Sequence, residues 1–216
     1  MASYIRDKQA IYLYQKQCDY YVEYPHTETV SDWETPLPGI HNRQNIAVAW
    51  SLLSHLGIPE STAREVVAEF SGLPFRQETI ATVDSVTYIN DTTATTPTAA
   101  LYALKASISP TIWITGGDTK NLPFDILLEE IKTNSHLKKI VILGSKNIPD
   151  YTSALLKIAS DKIIGTALSM NEAINLARRS AVSGDTILLS PGFASFDLFQ
   201  NEFDRGRQFN EIVRKL

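Results

Sequence analysis

The sequence predicts an α/β fold: a Rossmann-like, mostly parallel sheet with helices on both faces, preceded by part of a second domain. Three observations predict it. From residue 76 onward, strand patterns alternate with helical ones. The strands are nearly unbroken apolar runs, as in a sheet covered on both sides. A break at "SGLPF" (71–75) separates this rhythm from a helix-rich beginning, so the expected division is 1–72 and 73–216.

In the first part, DKQAIYLYQKQC (7–18) reads as a helix with Ile11 and Tyr14 or Gln15 on one face. DYYVEY (19–24) alternates like a short strand, and the Pro-rich stretch 25–39 reads as a loop or frayed hairpin. Residues 42–56 form a strong helical pattern stopped by Gly57, and 60–70 another stopped by Gly72. In the second part the strand candidates are QETIATV, VTYIN, TIWIT, KIVIL, KIIG and TILLS, with helices expected at 97–106, 123–133, 149–159 and 169–182. Thr96 and Pro97 supply an N-cap and a first helical residue, and Ser169 with Glu172 forms a capping box. Asp84-Ser85 joins the first two strands as an antiparallel hairpin.

The 216 residues carry 44% hydrophobic and 20% charged side chains and a net charge of -4, ordinary values for a globular protein without a basic nucleic-acid face. One cysteine, Cys18, and four histidines exclude a disulfide framework and argue against a Cys/His zinc site. No apolar run reaches membrane-spanning length and no signal-peptide layout opens the chain, so a cytoplasmic location with no membrane partner is expected.

In an open α/β sheet, ligands sit outside the carboxyl ends of the strands. "NDTTATTP", "GGDTKN", "GSKN" and "SPGFASFD" all fall at such ends. Each alone is ordinary turn chemistry; four at one sheet edge point to a site for a small carboxylate or phosphate. Gly116-Gly117 would let backbone approach a ligand, Lys120 would supply an ammonium, and Ser195 would open a helix whose amides attract an anion. No G-x-x-x-x-G-K-[ST] loop and no Ser-His-Asp or Cys-His constellation occurs, which leaves a binding edge without an evident catalytic engine.

"GIHNRQN", "GLPFRQE", "NDTTATTP", "GGDTKN" and "LSPGFASFDLFQNEFDRG", in this order and spacing, resemble the C-terminal half of the Mur ligases, on the branch that adds D-glutamate. The resemblance covers residues 39–216, with 4–24 matching more loosely. It implies an ATP-dependent ligase of peptidoglycan synthesis, with ATP, magnesium, D-glutamate and UDP-MurNAc-L-alanine as its small molecules. Asn45, Arg76 and Asp91 match ATP-binding positions, and Thr95, Lys120 and Ser195 match positions that receive the D-glutamate carboxylates. Phe203 stands one residue beyond the family's pocket aromatic, whose own position is Glu202. Thr93 replaces the lysine of the common "NDSKAT" version. The resemblance further implies a chain that begins near the end of the central ATPase domain, lacking the P-loop, the metal ligands and the other phosphoryl-transfer residues. Such a chain would be inactive alone, as a truncated ligase or as a binding module of a split one. DYYVEY would then be an unpaired edge strand, open to a missing N-terminal half or to dimerisation.

Overall fold

The structure, a computed structural model, describes residues 2–22, 27–144 and 148–216. It divides into two compact units, residues 1–70 and 71–216.

The first unit is helical: α1 (Ala2–Leu13), a 3-10 turn (Thr27–Val30), α2 (Ile40–His55) and α3 (Glu60–Glu69). Its core is small, consisting of Val30, Trp33, Ile46, Ala47 and Ala63 with Trp50 and Val67 packed against them. Arg43 ties the loop to α2 by donating from Nη1 to the carbonyls of Val30 (3.0 Å) and Trp33 (3.1 Å). Two expectations fail here. The first helix ends at Leu13 rather than running to residue 18, because the Asp19 carboxylate accepts the Lys16 amide (2.8 Å) and closes a competing turn. Residues 19–22 of DYYVEY form no strand, and 23–24 lie outside the described residues. Tyr20 instead stacks on His55 of α2 (4.0 Å, 10°) and shares a hydrogen bond with Ser51. An alternating pattern becomes a strand only with a partner, and the described residues of this unit contain none. The argument for dimerisation through that edge falls with it.

The second unit is a six-stranded sheet of order β1-β2-β6-β3-β4-β5. Its strands are β1 (Glu78–Val83), β2 (Val86–Asn90), β3 (Thr111–Gly116), β4 (Leu137–Leu143), β5 (Ile163–Ala167) and β6 (Thr186–Leu189). Only β1 and β2 pair antiparallel; Asp84 (φ 51°) and Ser85 (φ 62°) make the two-residue left-handed turn that a twisted hairpin needs. All other pairs are parallel. Helices α4 (Pro97–Lys105), α5 (Asp125–Thr133) and α6 (Pro149–Ala159) cover one face, and α7 (Met170–Ser180) and α8 (Glu202–Val213) the other. Side-chain alternation along β3 feeds both layers: Ile112 and Ile114 join the α7/α8 core, Trp113 the α4–α6 core.

Helix α8 starts at Glu202 rather than at Ser195, where the sequence places the opening of the last helix. The decisive topological fact is that β6, last in sequence, lies between β2 and β3. The segments leaving β2, β6 and β3 are therefore neighbours at one edge.

Candidate functional site at the ends of β2, β6 and β3

Much of NDTTATTP is structural. Asn90, buried, donates from Nδ2 to the Gly206 carbonyl (2.9 Å) and to Asn210 Oδ1 (2.6 Å), and its Oδ1 accepts the Thr92 amide. The Thr92 hydroxyl donates to the Glu202 carbonyl and accepts from Arg205 Nε. Thr93, where a lysine was expected, spends its hydroxyl on the Phe75 carbonyl (2.9 Å). Thr96 caps α4, accepting the Ala99 amide. Together these contacts tie the end of β2 to α8, to α4 and to the segment before β1.

Asp91 differs from its neighbours. Its carboxylate is buried, accepting from Ser190 Oγ (2.7 Å) on one oxygen and from the Gln77 amide (3.2 Å) on the other. Burial pushes its pKa up to about 6, against the pull of those donors and of the Arg76 charge. Left-handed backbone at Phe75 and Gln77 turns the chain so that the Gln77 amide reaches Asp91, while Arg76 between them stays exposed. A buried acid titrating near neutrality, beside an exposed guanidinium, belongs to binding chemistry more often than to folding.

The β3 and β6 exits are zipped together. Asp118 and Ala194 exchange backbone hydrogen bonds (2.9 and 3.0 Å), and the Gly116 amide donates to the Pro191 carbonyl. A Cβ on Gly117 would lie 2.1 Å from the Ala194 carbonyl oxygen, and one on Gly116 2.4 Å from that of Leu143. The two glycines thus admit the protein's own backbone rather than a ligand, which corrects the sequence reading.

Ser195 is also corrected. It is buried and precedes a single turn closed by the Phe199 amide on its carbonyl, whereas α8 starts only at Glu202, capped by Asn201. Asp197 at φ 80° breaks the helical path between them. The expected helix N-terminus at Ser195 therefore does not exist.

Lys120 is exposed at φ 47°, its amide accepted by Asp118 Oδ1 (2.9 Å), and its ammonium lies 4.8 Å from the centre of the Phe196 ring. Phe203, on the first turn of α8, meets Phe75 edge-on (6.0 Å). Thr95 is half-buried in the turn leading to α4, its amide on the Thr93 carbonyl. The fold thus brings Asp91 to Ser190, and the Lys120 loop to the Ser195 loop. Asn45 is exposed on α2 of the first unit. Of GSKN, Gly144 extends β4 by donating to Ala167, and the rest lies outside the described residues.

Sequence reasoning missed Arg205. It is fully buried, donating from Nε and Nη2 to Thr92 and from Nη1 to the Phe193 carbonyl, so one guanidinium joins the β2 and β6 exits. Burial lowers its pKa to about 10. An arginine in a polar helical stretch reads as solvent-facing, and nothing local marks it otherwise. Among the described residues no group of three His, Cys, Asp or Glu side chains could hold a metal ion, and no helix is long and apolar enough to cross a membrane.

A family model described as the Mur ligase glutamate ligase domain matches residues 75–193. Two curated relatives are both named UDP-N-acetylmuramoylalanine–D-glutamate ligase. That of Christiangramia forsetii is 42% identical over 188 residues, covering 87% of this chain and 41% of the relative. That of Symbiobacterium thermophilum is 38% identical over 187 residues, covering 85% and 40%. The chain thus spans about two fifths of the length of these relatives. Among solved structures, UDP-N-acetylmuramate–alanine ligase MurC of Thermotoga maritima aligns with a TM-score of 0.62 at 16% identity, over 84% of this chain and 39% of that one. Folylpolyglutamate synthase of Mycobacterium tuberculosis, complexed with ADP, aligns at 0.59 and 17% identity, over 81% and 40%. At such identities the likeness is one of fold.

Proposed function

The chain belongs to the Mur ligase family, and from that premise we propose that it is the C-terminal part of a ligase, MurD in type, that joins D-glutamate to UDP-N-acetylmuramoyl-L-alanine. Mur ligases are ATP-dependent amide-forming enzymes of peptidoglycan synthesis, and a cytoplasmic location accords with that role. The observation that carries the reading is the junction of the β2, β6 and β3 exits, because all six proposed binding residues of the second unit lie on or beside those segments.

In this reading the substrate carboxylate is first phosphorylated by ATP. The D-glutamate amine then attacks the acyl phosphate, and phosphate leaves from the tetrahedral adduct. Asn45, Arg76 and Asp91 hold the nucleotide. Thr95, Lys120 and Ser195 receive the two carboxylates of D-glutamate, so that an ammonium and two hydroxyls neutralise them and leave the amine free. Phe203 is the further aromatic residue of the pocket, and Phe196, already beside the Lys120 ammonium, joins it. Magnesium would accompany the nucleotide and offset the charge of its phosphates.

The 216 residues contain no P-loop pattern, which favours a second reading as well: the chain acts as the nucleotide- and amino-acid-binding module of a ligase whose ATPase portion lies elsewhere. Both readings share one test. Amide-shift titration of the chain should show D-glutamate moving residues 117–121 and 193–197 at lower concentration than L-glutamate; equal shifts with both enantiomers would remove the glutamate pocket. In parallel, the purified chain should form no D-glutamate amide by itself, and turnover of ATP to that product would overturn the assignment of phosphoryl transfer to other residues.

A further inference from the structure

We propose that Ser190 is a positioning residue for the nucleotide, acting through Asp91. The inference rests on the nucleotide role given to Asp91 above and extends it to a residue on a different strand exit. Ser190, just past the end of β6, is itself held through both of its backbone polar groups. Its carbonyl accepts the indole N–H of Trp113 (2.7 Å), its amide donates to the Ile114 carbonyl (3.3 Å), and the whole residue is buried. The one flexible group left is the hydroxyl, and it donates to Asp91 Oδ2 at 2.7 Å. The other carboxylate oxygen accepts the amide of Gln77, the residue next to Arg76. Asp91 therefore has its plane fixed between β6 and the turn before β1, with Arg76 set beside it.

The same hydroxyl governs the charge. Asp91 is an acid whose burial favours the neutral form, and Ser190 is the strongest influence opposing that burial. Of the charged side chains on the neighbouring elements, Glu78 accepts the Phe75 amide, Asp118 accepts the Lys120 amide, Arg205 donates to Thr92 and Phe193, and Glu202 acts on Arg205. Arg76 is the one whose charge acts on Asp91 to lower its pKa. Without the Ser190 donor, the midpoint of Asp91 rises by about one to two units, which leaves half or more of the carboxylate protonated at neutral pH. A group that only filled space would change packing without moving that midpoint.

The test uses the full chain, ADP as probe, and two variants of Ser190. Ser190→Ala removes the donor; Ser190→Cys is nearly isosteric and retains only a weak one, so it reports if the alanine variant folds poorly. The expected result is a Ser190→Ala midpoint for the Asp91 carboxyl, followed by carboxyl carbon-13 shift, about one to two units above wild type. ADP binding should weaken about two- to tenfold at pH 7 and recover by pH 9, as the carboxylate re-ionises. Asp91→Asn should remove the pH dependence altogether. An unmoved midpoint in both Ser190 variants overturns the inference while leaving the nucleotide reading intact. ADP binding indifferent to Asp91→Asn overturns the nucleotide reading, and the positioning role with it.

Discussion

Two buried tryptophans, one in each unit, show how differently the units are built. Trp113 lies in the central strand β3, fully buried, with α4–α6 packed over it and its indole N–H on the Ser190 carbonyl. Trp33 is nearly as buried, but its core holds only four other buried residues and its indole N–H has no hydrogen-bond partner among the described residues. The Arg64 guanidinium lies over its ring at 5.0 Å, held by Asp32 and Glu60. The caps follow the division in part. In the second unit α4, α7 and α8 have side-chain N-caps from Thr96, Ser169 and Asn201 while α5 and α6 have none, and in the first unit neither α2 nor α3 has one. Their faces also leave Ile40, Val48, Leu52, Leu53, Leu56 and Val66 exposed. A unit with two filled layers can carry a costly buried acid; a unit with one thin cluster has no such margin.

The largest effect should come from that acid. With a pKa raised to about 6, Asp91 binds its proton more tightly in the folded state. Stability therefore falls as pH rises from about 4 to about 6, and Asp91→Asn should recover about 3 kcal/mol at pH 7, fading to nothing near pH 4. Denaturant unfolding across that range checks the sign; a variant that is less stable at pH 7 would mean that the second unit does not hold the charge at a cost. Next, Trp113→Phe removes the donor to the Ser190 carbonyl and should cost about 2 kcal/mol beside the lost ring area. Amide exchange through Thr186–Leu189, slower in wild type than through Ile40–His55, should accelerate with it.

Binding provides the third comparison. Lys120→Ala should weaken D-glutamate binding at least about tenfold, since a charge-assisted contact contributes about 1.5–3 kcal/mol. Its effect on melting should be slight, because the side chain is exposed. A large loss of stability with unchanged affinity would make the lysine structural. Smaller again, Thr96→Ala should cost about 1 kcal/mol through the lost cap of α4, read from thermal unfolding. Smallest of all is Trp33→Phe. Removing an unpartnered indole N–H while keeping most of the ring should leave the first unit within about 0.5 kcal/mol of wild type. A marked loss there would show a partner for that N–H and blunt the contrast between the two tryptophans.

The periodic signals of the chain carried the fold class, the hairpin turn at Asp84-Ser85 and the caps at Thr96 and Ser169, because each depends on residues within a few positions of one another. The strand-end segments were legible for the same reason. Strand pairing is not local, and DYYVEY shows the consequence: alternation made it a candidate strand, yet residues 19–22 have no partner and pack their aromatic rings elsewhere. Ser195 fails in a similar way, since its single turn closes at Phe199 and the helix begins only at Glu202.

What the sequence determined by itself is therefore the class of each segment and the family that its motifs resemble. Only the tertiary structure decided which segments meet. The insertion of β6 between β2 and β3 turned Gly116-Gly117 into a backbone crossing, buried Arg205 between two strand exits and put Ser190 against Asp91. The Ser190–Asp91 and Arg205–Thr92 contacts join residues about a hundred positions apart, and burial, which no local pattern encodes, is what raises the acid and lowers the guanidinium.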